Sequence, residues 1–154
     1  MTNEINLQSA DTETWKEKFL RTTGRINRLT FFKRSIALAV INFLTIFLTI
    51  FLIMLGTMST TPPSWMNFLL IAIMGALLIP QYCLNVKRLH DFGKDATLAK
   101  IFLFINFLTI IYNFNVSVDS EFIFLDSAAF IIPWAFSLYL LFKKGDEGFN
   151  EYGN

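Results

Sequence analysis

The chain alternates between long apolar stretches and short polar segments. From Ser35 to Val86 it contains no Asp, Glu, Lys, Arg or His, and two further apolar stretches follow the charged segment "KRLHDFGKD". A membrane-spanning helix needs about 20 apolar residues, and its backbone groups must bond within the segment. The pattern therefore predicts four transmembrane helices, at about 36–55, 66–86, 98–114 and 122–142.

The residues outside these helices divide the chain into three parts: an N-terminal segment 1–34, a four-span domain 35–142 and a C-terminal tail 143–154. In the N-terminal segment, "SADTETWKEKFLR" predicts a helix with Asp11 as its N-cap and Glu13 in its first turn. Trp15 and Phe19 fall one turn apart among basic residues, which suits a helix on an anionic membrane surface. A mobile tail with two aromatic residues explains the same pattern, and the sequence leaves both readings open.

The basic residues predict the orientation. All 13 Lys and Arg residues lie before the first span, around the connection between the second and third, or after the fourth. Cytoplasmic loops carry the excess of Lys and Arg. The predicted fold is therefore an all-α integral membrane bundle of four helices, with both termini and the central connection in the cytoplasm.

Composition narrows the functional classes. The net charge of +1 gives no electrostatic reason to expect nucleic-acid binding. Cys83, alone in an apolar stretch, is expected to behave as a small hydrophobic residue. The single histidine lacks the companions of a zinc site, and "GDEGFNEYG" lacks the strand and helix of a nucleotide loop. We therefore expect no metal, no cofactor and no catalytic constellation.

Uncharged polar residues recur at helical spacing within the predicted spans. The candidate intramembrane polar face consists of Asn42, Thr45, Thr49, Asn106, Thr109, Asn113, Asp126 and Ser137. Such residues commonly hydrogen-bond between packed helices. A hydrated path for a solute is the alternative, with Asp126 near the outer surface as its acidic group.

Three polar segments are expected to meet on the cytoplasmic side: "GRINRLTFFKR", "KRLHDFGKD" and "KKGDEGFNEYG". In these motifs the chain resembles the "domain of unknown function 805" family of small bacterial inner-membrane proteins. The residues that carry the resemblance are Gly24, Arg25, Arg28, Phe31, Phe32, Arg88, Leu89, His90, Asp91, Gly93, Gly145, Gly148, Asn150, Tyr152 and Gly153. The resemblance implies a bacterial inner-membrane location and supplies no biochemical activity.

The cytoplasmic cluster has two interpretations. Its candidate contact residues are Arg25, Arg28, Arg88, His90, Asp91, Gly93 and Asn150. Arginine forks suit a phosphate headgroup, so the cluster could bind anionic lipid or a partner. Alternatively, Arg88 and Asp91 form an ion pair that ties the three segments together, with Gly93 ending a helix.

The predicted function is that of a non-enzymatic membrane protein acting through protein partners, self-association or anionic lipid. A small oligomeric transporter or channel is the alternative, and an intramembrane enzyme around His90 is the third.

Overall fold

The computed structural model describes residues 13–57, 64–115 and 123–153, and these residues form five α-helices and no β-strand. The helices are α1 (Trp15–Leu20), α2 (Arg28–Thr57), α3 (Ser64–His90), α4 (Thr97–Asn115) and α5 (Ile123–Phe142). The predicted all-α class is confirmed for these residues. The hydropathy pattern marks only the apolar part of a helix, so α2 begins about two turns before the predicted start at residue 36.

Local hydrogen bonds explain where α2 begins and where α3 ends. Asn27 is the N-cap of α2, because its side-chain Oδ1 accepts from the Thr30 N–H at 2.8 Å. At the end of α3, the Gly93 N–H donates to His90 O at 3.2 Å and the Lys94 N–H donates to Leu89 O at 3.0 Å. This is a Schellman motif, and it requires the positive φ of 64° that Gly93 adopts.

The N-terminal helix α1 starts later than predicted. Thr14 is its N-cap and forms a capping box with Glu17, so Glu13 precedes the helix, and Asp11 lies outside the described residues. The backbone and hydroxyl of Thr14 lower the pKa of Glu17 below its ordinary 4.5. The prediction misplaced the cap because Asp and Thr both suit this position, and only Thr14 stands three residues before a glutamate.

Two basic side chains hold α1 against the long helices. Lys87, which is 3% exposed, donates to the carbonyls of Glu17 and Lys18 in the last turn of α1. Arg34 pairs with Glu13 at 2.5 Å. Cations are favourable near a helix C-terminus, where the last carbonyls lack partners inside the helix. Contacts within the protein therefore fix the position of α1.

Among the residues that the structure describes, two helices are long and apolar enough to cross a membrane. Arg28–Leu55 has a mean hydropathy of 2.7 with 6% of its most apolar window buried, and Phe68–His90 has 1.9 with 28% buried. Both helices leave most of their apolar window exposed, which is consistent with a membrane protein. The described apolar parts of α4 and α5 are shorter, Thr97–Tyr112 and Ile131–Phe142, so the four-span topology stays a prediction.

The buried side chains concentrate at one end of the helices. There the start of α2 meets the end of α3, the start of α4 and the end of α5, and we call this region the closed end. Its core consists of Ile26, Phe31, Leu38, Leu84, Val86, Leu89, Phe92, Ala99, Phe136 and Leu140. Both α2 and α4 pack against α3 and α5. The closed end therefore brings together the three polar segments, as their predicted placement on one side requires.

Candidate functional site

Arg88 occupies the centre of the closed end, with a side chain that is 0% exposed. Its Nε donates to Leu140 O at 2.8 Å, and its Nη2 donates to Lys143 O. Its Nη1 donates to Ile26 O at 3.3 Å and pairs with the Asp91 carboxylate. One guanidinium thus joins the end of α5, the segment before α2 and the end of α3.

Asp91 and Arg25 extend this arrangement to the C-terminal tail. Arg25 Nη2 lies 3.5 Å from Asp91 Oδ1, so the carboxylate pairs with two arginines. Arg25 Nη1 donates to Gly148 O at 2.7 Å and to Gly153 O at 2.9 Å, and its Nη2 donates to Asp146 O at 2.9 Å. The planar fork of an arginine suits this use, because its donors leave in fixed directions towards several carbonyls.

The tail closes over His90. The rings of His90 and Tyr152 stack with their centroids 3.8 Å apart, and His90 Nδ1 lies 3.3 Å from Gly24 O. Asn150 Nδ2 donates to His90 O at 2.9 Å, while Asn150 Oδ1 accepts from the Tyr152 N–H at 3.0 Å. We refer to Arg25, Arg88, His90, Asp91 and Asn150 as the clasp.

Two glycines allow the tail to approach Asp91 closely. A Cβ added at Gly145 would lie 2.7 Å from Asp91 Cγ and 3.1 Å from Asp91 O, and closer still to Oδ2. A Cβ on Gly93 would lie 2.9 Å from Asp146 Oδ2. The Asp146 N–H then donates to Asp91 O at 2.7 Å. Small residues at these positions are therefore part of the clasp geometry.

The remaining member of the predicted cluster lies apart from the clasp. Arg28 is exposed at the first turn of α2, and its side chain makes no hydrogen bond or ion pair with a described residue. Among the described side chains, no group of three or more His, Cys, Asp or Glu residues is placed to hold a metal ion. Chemically, the charges of Arg88 and Asp91 are paired within the clasp, and of the arginines in the predicted cluster Arg28 is the one whose side chain is exposed to an outside anion.

The predicted intramembrane polar face divides into several environments. Thr49, Asn106 and Thr109 each donate to the carbonyl four residues earlier in their own helix, at 2.6, 2.7 and 2.9 Å. Asn42 has a buried Oδ1 without a partner among the described residues, and Thr45 supplies the carbonyl that binds Thr49. The side chains of Asn113 and Asp126 lie outside the described residues. The hydrogen bonds of Thr49, Asn106 and Thr109 thus run within their own helices, and they form no continuous polar path through the described region.

Asn106 and Ser137 from that face both line one cavity of about 440 Å³. The cavity lies next to the closed end, and residues of α2, α3, α4 and α5 line it. The polar lining also includes Ser35, Gln81 and Asn85, which the sequence reasoning missed. The sequence does indicate Gln81 and Asn85, because they are uncharged polar residues one helical turn apart in a stretch without charges.

The comparisons with known proteins give the family and nothing further. Residues 19–154 match the family described as Protein of unknown function (DUF805), and the chain belongs to that family. No curated protein and no solved structure matches the chain significantly. The resemblance that the three motifs carry is confirmed, and the family itself supplies no function.

Proposed function

We propose that this protein is a multi-pass, non-enzymatic protein of the bacterial inner membrane whose termini and α3–α4 connection lie in the cytoplasm. The clasp fixes the cytoplasmic ends of the helices. The protein then acts through the surfaces left outside the clasp, by contact with membrane lipids, with further copies of itself or with a membrane-protein partner.

The observation that carries the proposal is the complete burial of Arg88. Each of its nitrogens donates within the protein, to three backbone carbonyls and one carboxylate. A headgroup could reach this guanidinium only by displacing those partners. Removing one member of a buried ion pair typically costs about 3–5 kcal/mol, so the pair supports a structural role more than exchangeable binding.

The environment of His90 supports the non-enzymatic part of the proposal. One ring face is covered by Tyr152, and Nδ1 faces a backbone carbonyl. A general base must reach the proton that it abstracts from a substrate. His90 is instead held as a flat surface on which the tail packs.

Native mass spectrometry of the detergent-purified protein tests this proposal, with Arg88→Ala beside Arg28→Ala as the matched exposed arginine. We expect Arg88→Ala to lose the folded charge-state distribution or expose its tail to protease, and Arg28→Ala to stay folded. If Arg28→Ala also loses co-purified anionic lipid, the headgroup contact lies at Arg28. A folded Arg88→Ala protein that has only lost bound lipid would refute the clasp and establish a headgroup site there.

Topology has its own test, because the clasp could form on either side of a membrane. Alkaline phosphatase fused after residue 154 should be inactive, and fusions within residues 58–63 should be active. The opposite pattern would place the clasp outside the cytoplasm.

A further inference from the structure

The cavity beside the closed end combines an apolar wall with neutral polar groups. Its apolar lining includes Phe31, Phe102 and Phe136, and the rings of Phe102 and Phe136 stack 3.6 Å apart. Ligand pockets generally have volumes of about 300–1,000 Å³ and mix apolar walls with a few placed polar groups. This cavity, at about 440 Å³, has both properties.

Because the polar lining is uncharged, it favours an uncharged ligand. Ser35, Gln81, Asn85, Asn106 and Ser137 contribute hydroxyl and amide groups, and the lining contains no Lys, Arg, His, Asp or Glu. A phosphate or carboxylate in such a site would lose its hydration without gaining a counter-charge. The ligand should therefore be neutral.

Several of these polar groups have unused hydrogen-bonding capacity. The Ser35 hydroxyl oxygen is buried and has no partner among the described residues. Gln81 Nε2 donates to Asn85 Oδ1 at 3.0 Å, and no described residue bonds the other ends of these two amides. A buried polar group without a partner is unfavourable by about 1–3 kcal/mol. A ligand hydroxyl, which both donates and accepts, complements this set.

The cavity opens towards the apolar surface of the helices. Among its lining residues, the exposed ones lie on α2 and α5: Phe32, Ile36, Trp134 and Leu138 are 45%, 47%, 60% and 48% exposed. The buried ones include Asn85 and Ala99 on α3 and α4, at 8% and 1%. A ligand therefore enters from the hydrocarbon side, between α2 and α5. At about 30 Å³ per water-sized group, the volume holds about fifteen such groups, which is room for the head and the first part of one chain, with the rest of the chain extending into the hydrocarbon.

We propose that this cavity binds a neutral, single-chain lipid with a hydroxyl-bearing head, of the monoacylglycerol class. The hydroxyls bond Ser35 and the Gln81–Asn85 pair, and the chain lies against the phenylalanines. The inference rests on the membrane location in the proposed function, but it needs neither the clasp nor the orientation.

Quenching of Trp134 fluorescence tests the proposal directly, because Trp134 lines the cavity. Replacing Trp15 and Trp65 by Phe leaves Trp134 as the remaining tryptophan of the three. The purified full chain is titrated in detergent with dibromostearoyl glycerol. Dibromostearic acid methyl ester, which has no hydroxyl, and a dibrominated phosphatidylcholine serve as comparison ligands.

We expect saturable quenching by the monoacylglycerol, displaced by its unbrominated form and not by the methyl ester. Ser35→Ala should raise the apparent Kd about two- to tenfold, the range for one hydrogen bond, without lowering thermal stability. The control is Thr49→Ala, whose hydroxyl bonds its own helix and lines a different cavity, and it should bind as the wild type does.

Equal quenching by all three brominated ligands would overturn the proposal, because it would show contact of bulk lipid with an exposed tryptophan. Unsaturable quenching, or an unchanged Kd in Ser35→Ala, would also overturn it. Each of these results would leave the Arg88 experiment unaffected, so the two proposals fail separately.

Discussion

A single methyl group at Gly145 should weaken the clasp. In Gly145→Ala the new Cβ would lie 2.7 Å from Asp91 Cγ, and Cβ atoms almost never approach another heavy atom within 3.0 Å, so one side must move. Asp91 is held by Arg88 and Arg25, and the tail is held by Arg25. Gly145 does not have a positive φ, so the effect of alanine is steric and not a backbone preference.

The structure gives two ways to relieve the clash. If Asp91 moves, its buried pair with Arg88 is disturbed, and breaking such a pair costs about 3–5 kcal/mol. If the tail moves, it loses the Asp146–Asp91 backbone bond and the Arg25 bonds to the tail, each worth about 0.5–1.5 kcal/mol. The cheaper response sets the result, so we expect a loss of about 2–4 kcal/mol.

Thermal unfolding in detergent, followed by circular dichroism, measures this loss. At this chain length about 1 kcal/mol corresponds to 2–4 °C, so the midpoint should fall by about 5–15 °C. Gly75→Ala is the matched control within α3, where the new Cβ would lie 3.8 Å from Phe107, an ordinary contact. It should leave the midpoint unchanged or raise it, because alanine favours a helix by about 1 kcal/mol over glycine.

A double-mutant cycle identifies the cause. Asp91→Ala removes the carboxylate that the new methyl group would meet, so adding Gly145→Ala to it should cost less than in the wild type. A Gly145→Ala protein that unfolds with the wild-type midpoint would refute the close approach of the tail. Equal losses in both backgrounds would assign the effect to something other than Asp91.

Three further predictions concern the surroundings of the clasp. Arg25→Lys should destabilise the protein by about 1–3 kcal/mol in the same melts, because an ammonium cannot reach the separate carbonyls, while Arg28→Lys should lie within about 0.5 kcal/mol of the wild type. Asn150→Ala should speed removal of the tail by carboxypeptidase, because it breaks the bonds to His90 and Tyr152; an unchanged rate would show that the stacked ring alone retains the tail. The lowered pKa of Glu17 means that its carboxylate stabilises α1 above pH 4.5 and that this contribution is lost as the pH falls through the folded-state pKa, so hydrogen exchange in α1 should accelerate there. Glu17→Gln should remove this dependence, and Thr14→Ala should only reduce it, because the backbone N–H of residue 14 still donates to Glu17.

The sequence predicts the bounds of the helices better than it predicts which distant segments contact one another. The lengths of the apolar stretches predict the bounds of α2 to α5 to within about two turns, because each helix is marked by the apolar composition of its own residues. The tail, by contrast, adopts its conformation through Arg25 and His90, which are more than fifty residues away in the chain. No local pattern specifies such a contact, although the three motifs indicated that their segments would meet.

The polar lining of the cavity could be predicted only in part from the sequence. Asn106 and Ser137 were found by helical spacing, but spacing cannot say which faces of different helices turn towards each other. Gln81 and Asn85 stand out in their stretch only as uncharged polar residues, and a hydrogen bond within one helix would have explained them equally well. These four residues line one cavity once the helices pack. Exposed residues of α2 and α5 lie at its opening, and buried residues of α3 and α4 lie at its base.

The choice of arginine at position 88 follows from where α5 ends. The last four carbonyls of a helix lack partners inside it, and water normally supplies them at an exposed end. At the closed end, Leu140 is 0% exposed, so its carbonyl needs a donor from the protein. Arg88 provides that donor and also bonds Lys143 O just beyond the helix, in two directions that an ammonium on a flexible stem would not hold together. Its charge then requires Asp91, and Asp91 draws Arg25 and the tail into place. The C-terminus of α5, the ion pair and the folded tail therefore form one structural unit. A substitution in any one of these parts should destabilise the other two.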